Sequence, residues 1–173
     1  HDARVTGLDA SLSALRGAGG RARYSGTSLT LVAGDALALP FDDGVFDLAF
    51  AVTTLCFVRS PQQAVSEMAR VLRPGGRLVV GELGRWSTWA AWRRGRGWLG
   101  ASTWHDSRFW TAPGLRQLAA GAGLIPGRMR GAVLYPPLSL AATALAPLDP
   151  LLGRATTFGA AFVALEADKA DMA

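Results

Sequence analysis

An α/β fold with a mostly parallel sheet is what the stretch 31–83 predicts, and three observations predict it. Leu29 to Val32 is a short apolar run that ends at Gly34-Asp35. Phe46 to Val52 (FDLAFAV) is a near-continuous apolar run. Between it and a third run, Leu78-Val79-Val80, lies a stretch of helical periodicity closed by Pro74-Gly75-Gly76. Continuous apolar runs suit strands buried on both faces of a parallel sheet. A strand, crossover helix and strand of this length implies a right-handed parallel connection.

Taken in order, Ala3 to Asp9 reads as a strand ending in an acid. In nucleotide-binding α/β folds, an acid at the end of the second strand accepts hydrogen bonds from ribose hydroxyls. Nicotinamide and adenosylmethionine cofactors are both held that way, so Asp9 does not choose between them. Asp9 can equally cap a helix starting near Ala10 or Ser11. That helix has Leu12 and Leu15 on one face and is expected to fail by Gly17 to Gly20.

Ligands of such sheets bind at the carboxyl ends of the strands. This sets Asp35-Ala36-Leu37, then Ala51 to Leu55, then Glu82-Leu83 along one rim. An acid followed by small and apolar residues suits an adenine ring. The carboxylate or nearby backbone pairs with the exocyclic amine, and aliphatic side chains such as Leu37 cover the face. A turn or cap residue is the alternative for Asp35. Asp42-Asp43-Gly44 reads as a turn, and Asp47, at the start of its strand, as structural. Thr53-Thr54 lie just past a strand's carboxyl end.

Ser60 before Pro61 marks a helix start. Ala64, Val65, Met68, Ala69 and Leu72 form its apolar face, with Glu67 and Arg70 outside the stripe. Pro74-Gly75-Gly76 is expected to stop the helix and turn the chain.

Residues 84–110 depart from the sheet pattern. Five of the six Trp fall between Gly84 and Asp106, and Trp86, Trp89 and Trp92 are spaced for one helical face. Arg85, Arg93, Arg94 and Arg96 interleave with them. This pattern fits a lid over a greasy ligand, core packing, or contact with a membrane surface or nucleic acid. His105 beside Asp106 is the candidate base, because His has a suitable pKa. A surface histidine is the alternative.

Thr111 starts a further helix, with Pro113 in its first turn. Leu115, Leu118, Ala119 and Ala122 are its buried stripe, and Gly121-Ala122-Gly123 is its end. Arg128 to Tyr135 and Thr157 to Glu166 are the remaining strand candidates, and the tail from Glu166 reads as frayed. Gly131 to Leu148 carries no charge, but Pro136, Pro137 and Pro147 argue against a membrane-spanning helix. A hydrophobic cover or partner surface is the expectation there.

The 173 residues suit one domain, and 50% hydrophobic content allows a sizeable core. Net charge is +5 and the pI about 10.6. The basic residues are mostly scattered Arg, which argues for an ordinary solubilising surface and against nucleic acid as the partner. A single cysteine, Cys56, excludes an internal disulfide and a multi-Cys metal site. It lies in an apolar run and is expected to be buried. No metal cluster and no signal peptide are visible, so a cytoplasmic enzyme is the default.

The order GDALALPFDDGVFDLAF, then SEMARVLRPGGRLVVGEL, resembles class I S-adenosylmethionine-dependent methyltransferases. The likeness is closest to the small-molecule branch that includes ubiquinone and menaquinone biosynthesis enzymes. It is carried by Asp35, Ala36, Leu39, Pro40, Phe41, Phe46, Asp47, Arg70, Val71, Leu72, Pro74, Gly75 and Gly76. Three linked motifs in order are a fairly specific signal, and they cover residues 3–83. The resemblance implies a Rossmann-like fold with an antiparallel last strand, formed where the two strands after residue 124 pair at one sheet edge. It implies S-adenosylmethionine as cofactor and a small-molecule acceptor. It puts Asp9 and Ala10 at the ribose, Asp35, Ala36 and Leu37 at the adenine, and Thr53 and Leu55 beside the reaction centre. Residues 84–110 would be a lid-like insertion that shapes the acceptor pocket.

The family places a first strand and a turn of the type D-x-G-x-G-x-G about twenty residues before the ribose acid. Here Gly17, Gly19 and Gly20 follow the acid, so the expectation is one methyltransferase-like domain over 1–173 that is N-terminally incomplete. A sulfonium methyl is already activated, so aligning donor and nucleophile can supply roughly 7–11 kcal/mol of the barrier, and dedicated catalytic residues are not required. A nicotinamide-dependent oxidoreductase would share Asp9 but leave Asp35-Ala36 with Leu39-Pro40-Phe41 unexplained. A non-catalytic scaffold binding through the Trp-rich or Pro-rich segments is the third reading.

Overall fold

The computed structural model describes residues 3–24, 28–100, 107–137 and 139–171. Strand β1 (Val5–Asp9) leads through helix α1 (Leu12–Tyr24) to β2 (Leu29–Ala33). The two strands pair in parallel, with Asp9 opposite Ala33. Strand β3 (Phe46–Val52) then connects through α2 (Pro61–Val71) to β4 (Leu72–Leu83), again in parallel. Helices α3 (Thr88–Trp98) and α4 (Ala112–Gly121) precede β5 (Leu124–Ala132). Two short helices, α5 (Ser139–Leu145) and α6 (Asp149–Ala155), precede β6 (Phe162–Lys169). Strand β6 runs antiparallel between β4 and β5, so the larger sheet has the order β3-β4-β6-β5 and β6 alone runs against its neighbours.

The core lies on one face of that sheet. Ala64, Val65 and Met68 of α2 and Leu115 and Ala119 of α4 pack against Leu78, Val80 and Leu165. These positions form the apolar stripes of two amphipathic helices. A second, smaller cluster joins Cys56, Leu83, Ala90 and Phe109 at the carboxyl end of β4. Ala90 belongs to α3, whose N-cap hydroxyl, Ser87 Oγ, accepts from Ala90 N at 3.1 Å. Thr111 caps α4 in the same way, accepting from Gly114 N at 3.2 Å.

Several elements differ from the sequence expectation. Helix α1 does not fail at Gly17–Gly20 but continues to Tyr24. Glycine costs a helix about 1 kcal/mol relative to Ala. Here packing offsets it, because a Cβ on Gly19 would stand 3.2 Å from Leu31 Cδ1 and the bare backbone lets α1 lie on β2. Helix α2 ends at Val71, before Pro74-Gly75-Gly76. Those residues lie inside β4, where Gly75 takes φ +71° and the register with β3 shifts between Phe46 and Leu48. Residues 73–76 are unpaired there, between Leu72 opposite Phe46 and Arg77 opposite Leu48, so the chain makes its expected turn and then rejoins β3 in parallel.

Strand β3 has the expected ends but not the expected two-sided burial. Leu48, Phe50 and Val52 alternate along one face that no described element covers, and Phe50 is 69% exposed. Strand β3 pairs only with β4 and β1 only with β2, so the two sheets are not joined by hydrogen bonds among the described residues. Strand β5 begins at Leu124 and ends at Ala132, not at 128 and 135. The tail is not frayed at Glu166, since β6 extends to Lys169, whose Nζ donates to the Ala69 and Leu72 carbonyls at 2.8 and 2.6 Å.

Candidate functional site

The carboxyl ends of β1 and β2 lie side by side because the strands are parallel and in register. Asp9 is the last residue of β1, and Gly34 N donates to its carbonyl at 3.2 Å. The two aspartates repeat one local geometry. Asp9 Oδ1 accepts from Ser11 N at 2.8 Å, and Asp35 Oδ1 accepts from Leu37 N at 2.9 Å. Each carboxylate thus closes a small turn two residues on, a habit of Asp that any strand-end loop rewards. Both remain exposed, as does Ala10, while Ala36 and Leu37 are half-buried against the core. The capping alternative for Asp9 and the turn alternative for Asp35 are therefore real, and each leaves the outer edge of its carboxylate open to solvent. Such an edge is what a ribose diol or an exocyclic amine could meet, so the donor set fits a nucleoside.

The loop after β2 is tied to α2 by a polar clamp of Glu67 and Arg70, the two residues outside the helix's apolar stripe. Glu67 Oε2 accepts from Leu39 N at 2.8 Å. Arg70 pairs with Glu67 at 2.8 Å and donates to the carbonyls of Phe41 at 2.8 Å and Leu39 at 3.0 Å. It also meets Asp43 at 2.6 Å. The Arg70 guanidinium holds the Glu67 carboxyl below its ordinary value. Gln63, in the first turn of α2, donates to the Leu37 carbonyl at 2.9 Å. The first turn of α2 follows the carboxyl end of β3, so this contact brings the Asp35–Leu37 loop to the β3 end of the rim.

At that end the residue that organises the backbone is Glu82. It is fully buried, and its carboxylate accepts from Thr54 N at 2.9 Å, Leu55 N at 2.7 Å and Cys56 N at 3.2 Å. Burial raises its pKa against the opposing pull of these hydrogen bonds. Cys56 is buried as expected, and its thiol is pushed up to about 12 by burial, then by the neighbouring Glu82 charge. Thr53 is half-buried with φ +50°, a conformation uncommon for a β-branched residue. Leu55 does not flank an open site: its side chain is fully buried in the main core and its N–H is taken by Glu82. An apolar residue just past the strand is drawn inward because burying its side chain in the core removes apolar surface from water.

The Trp-rich segment sits beside this end. Trp89 Nε1 donates to the Tyr135 carbonyl at 2.9 Å, which ties α3 to the segment after β5. Arg93 stacks over Trp89 at 5.3 Å, Arg96 over Trp92 at 5.0 Å and Arg94 over Phe109 at 5.5 Å. Trp86 and Trp92 are not core residues, being 58% and 46% exposed. Asp149 holds the far side, accepting from Val133 N at 2.7 Å and Leu134 N at 2.8 Å. Nothing local in the sequence marked Asp149, since its partners lie on another element. His105, with Asp106, lies outside the described residues. Among the described residues no group of three His, Cys, Asp or Glu could hold a metal ion. No described helix is long and apolar enough to cross a membrane.

Residues 1–80 match a family model described as a methyltransferase domain. An uncharacterized protein of Mycobacterium tuberculosis is 38% identical over 117 residues, which are 68% of this chain and 39% of that protein. A demethylmenaquinone methyltransferase of Renibacterium salmoninarum is 45% identical over 78 residues, covering 45% of this chain and 31% of the enzyme. The chain thus spans well under half the length of these relatives. Among solved structures, a methyltransferase of Thermotoga maritima that depends on S-adenosylmethionine superposes with a TM-score of 0.70 at 24% identity, over 95% of this chain and 72% of that one. A geranyl diphosphate C-methyltransferase of Streptomyces coelicolor superposes at 0.66 and 20% identity, over 96% of this chain and 63% of that one.

Proposed function

We propose that the protein transfers a methyl group from S-adenosylmethionine to a small hydrophobic acceptor; the match of residues 1–80 to a methyltransferase family model and the Rossmann-like fold shared with S-adenosylmethionine-dependent methyltransferases support the reading. The observation that carries the reading is the pair Asp9 and Asp35. They stand at the ends of adjacent parallel strands, each with one oxygen fixed by its own turn.

Asp9, beside Ala10, accepts from the ribose hydroxyls. Asp35 and the Ala36 backbone meet the adenine edge, and Leu37 covers the ring. S-adenosylmethionine supplies a sulfonium-activated methyl group when bound. The chain's own part is to bind, orient and exclude water, and the turn from Thr53 borders the place where donor and acceptor meet. Residues 84–110 act as a lid, with Trp86 and Trp92 facing the acceptor side. A hydrophobic acceptor is supported by these exposed aromatic rings and by the quinone chemistry in the name of the Renibacterium relative. The same surface, with Trp98 and Leu99 at 88% and 89% exposure and four arginines between 85 and 96, supports a peripheral membrane contact.

Calorimetric titration of S-adenosylhomocysteine into the full-length gene product, with NADH in parallel, tests the reading. Micromolar binding of the first alone is expected. Binding of NADH alone would move the protein to the oxidoreductases, and binding of neither would leave a non-catalytic scaffold.

A further inference from the structure

Glu82 stands out among the buried groups. Its carboxylate is fully buried, has no ion-pair partner among the described residues, and accepts from three consecutive amides. A buried carboxylate is costly unless hydrogen bonds compensate it. Core packing alone gives no reason to keep a carboxylate there, because β4 is otherwise lined with apolar residues at this depth. What it holds is the Thr54–Cys56 turn, and the residue before that turn is Thr53.

Thr53 is strained. It has φ +50°, where a β-branched side chain crowds its own backbone. Its N–H still continues the ladder, donating to Gly81 O at 2.8 Å, and its hydroxyl turns back on the Val52 carbonyl at 2.8 Å. With both groups committed to the sheet, Thr53 offers its backbone path to a ligand, not its hydroxyl. The next three amides are aimed at Glu82. The anchor and the strain are thus adjacent, and the anchor reaches across 26–28 residues of sequence.

We infer that Glu82 is a positioning residue: its carboxylate forces Thr53 into the left-handed conformation and so shapes the end of β3 against which the methyl donor is held. The inference rests on the methyltransferase reading above. Glu82 touches no ligand itself. It acts through the turn, and strain of this kind persists only where the surroundings over-determine it.

The test uses the full-length protein and S-adenosylhomocysteine as probe. Glu82→Gln keeps the volume, and its amide oxygen can still accept from Thr54 N and Leu55 N, but it loses the charge and sets its NH2 group against Cys56 N, so affinity is expected to fall tenfold or more. Glycine adopts positive φ without strain, so adding Thr53→Gly to that variant is expected to recover most of the loss. An anchor that serves folding alone would lower the melting temperature, leave affinity unchanged and show no rescue. That result overturns the proposal, as does a loss of affinity that Thr53→Gly fails to repair. Should Glu82→Gln not fold, Glu82→Asp, which retains the charge and shortens the reach, carries the same comparison with and without Thr53→Gly. Wild-type protein that does not bind the probe would instead refute the methyltransferase reading.

Discussion

Leu39 donates its backbone N–H to the Glu67 carboxylate at 2.8 Å, across 28 residues of sequence. Through this bond, and through Arg70 beside it, the loop after β2 is fixed to the helix after β3. Removing the acceptor leaves a half-buried amide unmet, so Glu67→Ala is expected to cost about 1–3 kcal/mol in urea unfolding. The pH dependence has a definite sign. Arg70 holds the Glu67 carboxyl low, so the pair contributes stability above the ordinary value of 4.5 and loses it as pH falls through the lowered value. The wild-type advantage over Glu67→Gln should shrink below that pH. An advantage that grows on acidification would contradict the clamp.

Asp9 serves its own turn and, in our reading, the ribose. Two substitutions test the ribose role, one with the turn kept and one without it. Asp9→Asn keeps an acceptor for Ser11 N but loses the charge, while Asp9→Ala loses both. Each is expected to weaken S-adenosylhomocysteine by about 1–3 kcal/mol, because ribose hydroxyls lose a charged partner. Unchanged affinity in folded Asp9→Ala would remove the ribose assignment.

Cys56 is the one thiol of the chain, so its reactivity reads directly. Its value is raised from 9.0 to about 12 by burial and by Glu82. The thiolate fraction at pH 8 is then roughly a thousandfold below that of an ordinary cysteine, each unit being tenfold. Ellman's reagent should react with the native protein only as fast as it opens. A rate equal to that of the urea-unfolded chain would show the thiol to be accessible.

Gly153 lets α6 approach β5. A Cβ there would collide with the Gly131 carbonyl oxygen, which is backbone and cannot swing aside. Gly153→Ala is expected to destabilise by about 1–3 kcal/mol through overpacking, despite the better helix propensity of alanine. A gain in melting temperature would show that the two elements separate freely.

Trp86 and Trp92 are exposed beside the rim. If residues 84–110 act as a lid, the double substitution to alanine should raise the acceptor KM several-fold and leave affinity for S-adenosylhomocysteine within twofold. The reverse pattern would place these rings against the donor.

Much of the fold was legible along the chain. The ends of β3 and the starts of α2 and α4 follow from an apolar run, from Ser60-Pro61 and from Thr111 with Pro113, each a local signal. The glycines of α1 misled, because whether a glycine breaks a helix or admits a neighbour depends on what packs there, and Leu31 lies on another element. The Pro74-Gly75-Gly76 turn lies where the sequence places it, between Leu72 and Arg77, but the helix ends before it, at Val71, because Leu72 already pairs with Phe46 of β3, a partner not adjacent in sequence.

The sequence by itself determined the order of the elements through β4, the parallel pairing around α2 and the acids at the strand ends, because periodicity, caps and turn residues act over a few neighbours; the two helices before β6 were not legible in it. Only the tertiary structure decided that Leu55 faces the core, that Glu67 and Arg70 grip the 39–43 loop, and that Glu82 holds the turn after Thr53. Those contacts join residues 26–31 positions apart, and a hydrogen bond between such residues exists only once the sheet has brought their elements together.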